Sequence, residues 1–562
     1  MKIFINTKQY KYVFVSALIV LTLVIPWIGL GMGAPSNGDE GYMNLCIRDY
    51  RNSPLAMLTF YTGHLWTSLF GDDFLTIRRL GYAMGNIAIL IGCVYFFQRT
   101  RNLLQAMFLF ALGCAVMSLE RFLIYNWDVA AYPYYALLAV FLIDDIRLPR
   151  LWKVCGAGMA VTLLFLSRIQ LVVLVPVFAV VVAIEVREVR GKSVKHLAAY
   201  LLSVSVTLVL LAWLMCGSVG AYFNAFSSDN IITGHGPDDI RKIYYGFKSI
   251  FARNISTFSL SLFTITVAII LCIWNKIPDV KKVSLYIVLA LAGLGYYFVM
   301  STICPTLFNL LTSFTGIVVF LLLLLPAWNL FLKKKEKTPV LQLAVVWILL
   351  VSPVFGSDST ICRMFSSFLL APLMAVVYPY ETNSLHLGRL LRSLMIACLV
   401  AYGAGMIGRV YISGLYSRFS MDKFPLQKGI WADDREYSRW EAIHDISVLV
   451  RATGARLNYD GWERYAYAYS MQLPPVRNLH LYHIQDDESG ISRRRNIVDI
   501  YDAWLISGVD RHQITGICKM LSEEGFEIVI DGVFKGHENV LLFMRSPYAE
   551  CYRRNQSRSV GN

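Results

Sequence analysis

Two carboxylates stand side by side in the stretch GAPSNGDEGY, residues 33–42. Asp39 and Glu40 follow an apolar run of about twenty residues, the length that crosses a bilayer. Adjacent carboxylates in a low-dielectric cleft raise each other's pKa, so that one can accept a proton near neutral pH. Cations recur where other apolar runs meet the same side: Arg78 and Arg79, Arg121, Arg168, Lys248, Arg253 and Arg363. A charge at the bilayer centre costs about 2.5–3.5 kcal/mol on insertion scales, so charges bordering apolar spans are functional candidates. A base beside several cations suits a reaction in which a hydroxyl is deprotonated while a phosphate departs. The plain alternative is a solvated loop turned by Gly38 and Gly41, with arginines reaching for lipid headgroups.

The elements that would position these groups are membrane helices. Of 562 residues, 56% are hydrophobic and 16% charged, against about 25% charged in soluble domains. Mean hydropathy is +0.52. This composition specifies a polytopic helical membrane protein. The net charge of +14 is not a nucleic-acid signal, because much of it lies in short loops, where positive charge orients the chain. Apolar windows place thirteen spans at 12–32, 80–97, 103–119, 128–143, 154–166, 170–186, 197–216, 259–275, 283–300, 305–327, 339–355, 364–379 and 393–412. The Lys and Arg bias then puts the N-terminus in the cytoplasm and the C-terminus outside. The first span is too long for a signal-peptide core and is read as retained.

This divides the chain into a membrane domain, 1–412, and an outer domain, 420–562. The membrane domain has two long outer loops, 33–79 and 217–258. The first contains NSPLAMLTFYTGHLWTSLFGDD, which is read as an interfacial amphipathic helix. In the outer domain, 437–452 and 512–525 read as helices, and 478–484, 503–508, 526–531 and 539–544 as strands, a small α/β fold. The eleven cysteines are scattered, with no CxxC pair, so neither a disulfide framework nor a zinc site is expected. No Walker A sequence is present, and the cytoplasmic loops leave no room for a nucleotide-binding domain.

A helix running outward, followed at once by D-E-x-Y (39–42), resembles the GT-C superfamily of membrane glycosyltransferases. The resemblance continues in SPLAMLTFYTGHLWTSLFGDDFLTIRRLGYAMG (53–85) and AGMAVTLLFLSRIQLVVLVPVFAVVVA (157–183). Within the superfamily, the layout is similar to protein O-mannosyltransferases and to the aminoarabinose transferase of lipid A. The resemblance implies a sugar carried on a polyprenyl phosphate and passed, with inversion, to a glycan, lipid or protein acceptor at the outer face of a plasma membrane. It makes Asp39 the catalytic base and Glu40 its neighbour, with Arg79 and Arg168 as donor-phosphate contacts.

Lys248 and Arg363 join the phosphate set by topology. Tyr42, His64 and Asp358 are candidate substrate contacts. His64 with Glu40 is also a conceivable metal pair, although a histidine beside Trp66 is ordinarily interfacial, and no cofactor or metal is expected. Asp128 reads as a helix N-cap. Competing classes are a flippase or transporter, a polymerase or ligase of lipid-linked glycans, and a receptor. The first predicts charges deep within spans and an inverted repeat, and neither is apparent.

Overall fold

A computed structural model describes residues 7–35, 38–119, 124–143, 150–186, 193–227, 338–352 and 367–383, scattered positions between 395 and 411, and most of 413–559. Lys248, Arg253, Asp358 and Arg363, the spans at 259–275, 283–300 and 305–327, and the strand expected at 478–484 lie outside the described residues. So does Arg121.

The membrane part is a bundle of antiparallel helices. Helix α1 (Thr7–Gly29) has 23 residues, about 34 Å at 1.5 Å per residue, enough for a hydrocarbon core of about 30 Å. The chain then forms α2 (Gly38–Arg48), two short 3₁₀ turns and α3 (Met57–Phe70). Within the stretch read as one interfacial helix, 52–73, the chain forms the second 3₁₀ turn and then α3. The inner face of α3 buries Met57, Leu58 and Phe60, while Leu69 and Phe70 stay exposed.

Helix α4 (Phe74–Thr100) starts where its sequence supplies a cap: the Asp73 carboxylate accepts from the Thr76 N–H at 2.8 Å and from the Thr76 hydroxyl at 2.7 Å. It ends at Arg101, in the left-handed region at φ 57°. Helices α5 (Leu103–Leu119), α6 (Trp127–Ile143), α7 (Arg150–Ser167), α8 (Leu174–Val186), α9 (Ser193–Cys216) and α10 (Val219–Ser227) follow. Beyond the undescribed spans come α11 (Thr338–Val351) and α12 (Leu370–Asn383). Helix α6 is buried on nearly every side, so its faces read as uniformly apolar rather than amphipathic.

Contacts between helix ends fix which ends meet. The C-terminal end of α1, the start of α4, the start of α6 and the end of α7 lie together, because Arg78 bonds the Leu30 carbonyl, Gly81 packs on the Tyr125 backbone and Arg168 reaches Asp128. At Gly81 a Cβ would lie 2.6 Å from the Tyr125 backbone nitrogen, so only glycine admits that approach.

The C-terminal region is α/β. Strands β1 (Phe419–Ser420) and β2 (Trp431–Ala432) pair antiparallel. A second sheet has the order β3-β4-β6-β5: β3 (Leu457–Gly461) runs parallel to β4 (Ala503–Ser507), while β5 (Phe526–Phe534) and β6 (Glu538–Arg545) are antiparallel neighbours. Around it lie α13 (Asp434–Ala452), α14 (Arg464–Ser470), α15 (Glu488–Arg495), α16 (Thr515–Glu523) and α17 (Ser546–Ser559). Strand β3, LNYDG, is wholly buried although two of its residues are polar. Asp460 is neutralised there by Arg494 at 2.7 Å, with both side chains almost fully buried.

The two parts are stitched together at the exit of α1. Trp431 donates its N–H to the Gly31 carbonyl at 2.7 Å, and its own carbonyl accepts from Gly33 N–H at 2.7 Å, so residues 31–33 extend the β1–β2 pair. Tyr469 donates its hydroxyl to the Asp72 carbonyl at 2.5 Å, and Phe74 N–H bonds the Leu426 carbonyl at 3.0 Å.

Candidate functional site

The Asp39–Glu40 pair lies in the first turn of α2, at the helix-bundle end where the C-terminal region docks. Asp39 is placed as backbone within that turn. Glu40 is 1% exposed. Its carboxylate takes two hydrogen bonds from one guanidinium, Arg78 Nε to Oε1 at 2.7 Å and Nη2 to Oε2 at 3.0 Å. Arg78 uses Nη1 on the carbonyls of Leu30 at 2.8 Å and Gly33 at 3.1 Å. One buried arginine thus ties α2 to α4 and to the exit of α1. Both oxygens of this carboxylate are taken up by the forked guanidinium, which fixes its position. Glu40 therefore positions the turn that carries Asp39.

Arg79 is the next residue on α4, and consecutive helical residues diverge by about 100°. While Arg78 turns inward, the Arg79 guanidinium lies over the Trp27 ring, 5.3 Å from its centroid. Its Nε is buried without a hydrogen-bond partner among the described residues. A cation on an aromatic face is only partly compensated, and this one retains donors for an anion.

Arg168 was expected to meet phosphate. It sits in extended conformation between α7 and a 3₁₀ turn at Ile169–Val173 and is 3% exposed. It reaches the Asp128 carboxylate at 2.8 Å. Asp128 is accordingly not the cap of α6. Asn126 is, its side-chain oxygen accepting from the Val129 N–H at 3.0 Å. Asparagine two positions earlier takes the capping role and releases Asp128 to neutralise Arg168. The turn is further pinned by Thr59, whose hydroxyl donates to the Ser167 carbonyl at 3.0 Å, while Tyr125 donates to the Thr59 carbonyl at 2.5 Å.

Tyr42, on the same turn of α2, packs edge-on against Trp127 and Tyr465, at centroid distances of 6.3 and 5.4 Å. His64 is half-buried, its ring 4.9 Å from that of Tyr50. Among the described residues no three His, Cys, Asp or Glu side chains converge to hold a metal ion. Burial pushes the Cys46 thiol, on the inner side of α2, up to about 11, which leaves it an inert small hydrophobe.

The C-terminal region adds groups that no local pattern of residues ties to this site. The Glu436 carboxylate, in the first turn of α13, accepts the Ala34 N–H at 3.0 Å. Burial holds its pKa above the usual carboxylate value. The Ala34 N–H opposes that, Asp433 adds to it, and Arg78 opposes it. At Gly41 a Cβ would lie 2.1 Å from the Ala466 nitrogen; the glycine beside the acidic pair is what lets α14 lie directly on α2. Sequence reading took that glycine only as a turn former.

No family model matches the chain, and no curated protein matches it. Solved structures do. The chain is similar to ArnT from Cupriavidus metallidurans bound to undecaprenyl phosphate, at 11% identity and TM-score 0.42, over 94% of this chain and 98% of that one. It is similar to the Archaeoglobus fulgidus oligosaccharyltransferase tethered to an acceptor peptide, at 9% identity and TM-score 0.45, over 95% and 74%. It is also similar to AglB of the same organism with an inhibitory peptide and dolichol-phosphate, at 11% identity and TM-score 0.44, over 96% and 75%.

Proposed function

We propose that the chain is a membrane glycosyltransferase that moves a sugar from a polyprenyl-phosphate donor to a hydroxyl acceptor on the face carrying the C-terminal region. On this reading that face is outside the cytoplasm, the membrane is the plasma membrane and the N-terminus is cytoplasmic.

Asp39 removes the proton from the acceptor hydroxyl. The oxygen attacks the anomeric carbon from the side opposite the carrier, the bond from that carbon to the phosphate oxygen breaks, and the phosphate leaves with both electrons. A single displacement of this kind inverts the anomeric centre. Arg79 holds the departing phosphate. Glu40 and Asp128 keep Arg78 and Arg168 in place, so those two cations shape the site rather than carry the donor's charge. Tyr42, beside Trp127 and Tyr465, offers ring surface to the sugar or acceptor.

The observation that carries the reading is the contrast among Arg78, Arg79 and Arg168. Arg78 and Arg168 each lie against a buried carboxylate, whereas Arg79 rests on a ring with its Nε unbonded among the described residues. A half-buried cation at the membrane border, one residue from the arginine that holds the carboxylate-bearing turn, is the provision a lipid-tethered phosphate needs.

Purified protein in lipid, given polyprenyl-phosphate sugars and a membrane extract as acceptor source, provides the test. Asp39→Asn keeps size and polarity but removes the base, and transfer should fall at least about a hundredfold. Arg79→Gln should raise KM for the donor more than it lowers kcat. Transfer that survives Asp39→Asn unchanged removes Asp39 from the role. No turnover with any donor, while a labelled lipid-linked glycan still crosses the bilayer, replaces the enzyme with a transporter.

A further inference from the structure

The opposite end of the bundle holds a groove that the reaction above does not use. It lies between the first turns of α1, the start of α5 and the later part of α12, with a cavity of about 430 Å³. That is within the range of small-molecule sites, about 300–1,000 Å³. Lys11 stands at its mouth, exposed, and has no carboxylate partner among the described residues. Beside it, Asn102 donates to the Tyr378 hydroxyl at 3.1 Å and to the Gln105 side-chain oxygen at 3.3 Å. The remaining walls are apolar, with Val15, Leu104 and Phe108 among them.

The arrangement has the polarity of one amphiphile. A single cation and a group of hydrogen-bonding side chains lie at the helix ends, where headgroups sit, and the apolar walls run inward along the helices, where acyl chains sit. Lys11 adds positive charge with no internal partner, so the complementary headgroup is anionic. We propose that this groove holds one anionic phospholipid of the leaflet opposite the candidate site, its phosphate against Lys11 and one acyl chain along Val15 and Leu104. The polyprenyl donor is a different lipid, and its phosphate belongs at the other end of the bundle.

The purified full-length protein, titrated with phosphatidylglycerol or with phosphatidylcholine of the same chains and read by native mass spectrometry, tests this. One phosphatidylglycerol should be retained per chain, with about a fivefold preference, the effect of one lysine near a charged headgroup. Lys11→Gln should abolish the preference while leaving occupancy by either lipid. Leu104→Trp, which fills the cavity, should abolish retention of both. A tryptophan can also disturb packing, so the exposed Lys11→Gln change decides by itself. Equal retention of the two lipids by the unaltered protein overturns the proposal, as does a preference that survives Lys11→Gln. Displacement of phosphatidylglycerol by polyprenyl phosphate, with the same dependence on Lys11, also overturns it and assigns the groove to the carrier lipid.

Discussion

The candidate site at one end of the helical bundle and the groove at the other handle polarity in opposite ways. At the end bearing Asp39, charges are brought inside and neutralised in place. Glu40 meets Arg78, Asp128 meets Arg168, and the C-terminal region closes over them with its backbone on Gly31, Gly33 and Ala34. Around the groove at the other end, the polar groups are amides and a phenol bonded to one another, with Lys11 exposed at the mouth. Charges are worth burying where geometry must be held rigid, because a buried pair enforces one arrangement and tolerates the loss of neither partner. Neutral hydrogen bonds suffice where the surface has only to accommodate lipid.

The strongest way to break this comparison is to remove one member of a buried pair. Arg78→Met leaves Glu40 buried without its partner and should cost about 3–5 kcal/mol, read as a large drop in the thermal midpoint of the protein in detergent. The double change Arg78→Met with Glu40→Leu should recover part of that loss. If the single change is tolerated, the pair does not organise this end.

Gly41→Leu acts on the same end from outside. A side chain there must displace the Ala466 backbone, so α14 should lift from α2, and limited proteolysis should release the C-terminal region. An unchanged digestion pattern would mean that the docking does not depend on this approach.

Glu436 sharpens the contrast through pH. Its pKa is raised above the ordinary value of 4.5, chiefly by burial. The folded protein therefore binds a proton there more tightly than the unfolded chain. Stability should fall as pH rises from 4.5 through the folded value, and level off above it. Glu436→Gln removes the titration, keeps an acceptor for Ala34 N–H and should flatten that part of the midpoint-against-pH curve. Glu436→Ala should flatten it too, but at lower stability.

The smallest effect belongs to the other end. Asn102 caps α5, its side-chain oxygen accepting from the Gln105 N–H at 3.1 Å. Asn102→Ala should cost about 1 kcal/mol and leave transfer unchanged. A loss of transfer as large as that of an Arg78 variant would erase the distinction between the ends.

Much of the helical frame was legible, because bilayer-length apolar runs leave few other folds. The runs at 103–119 and 128–143 match α5 and α6 to within a residue. The acidic pair and the arginine pair were legible as residue types. Their partnerships were not. Glu40 and Arg78 are 38 positions apart, and several arginines reach the same level with equal claim. Arg78 and Arg79 look alike in sequence, and only the helical turn between them sends one inward and the other onto Trp27. Asp128 was misassigned because the cap that displaces it, Asn126, lies two residues outside the apolar run. Strand β3 went unread because Asn458 and Asp460 break its apolar pattern, and the arginine that neutralises Asp460 comes 34 residues later.

The bond between Ala34 and Glu436 spans 402 residues. During synthesis the exit of the first helix therefore waits for a partner not yet made. At about 5–20 residues per second the wait is roughly 20 to 80 seconds. Throughout it, the turn carrying Asp39 exists without the strand and helix that later fix it. A nascent chain can thus be fully threaded through the bilayer and still lack a finished site. Residues 419–470 complete the loop after the first helix, so a chain cut short before residue 419 should insert normally and remain inert.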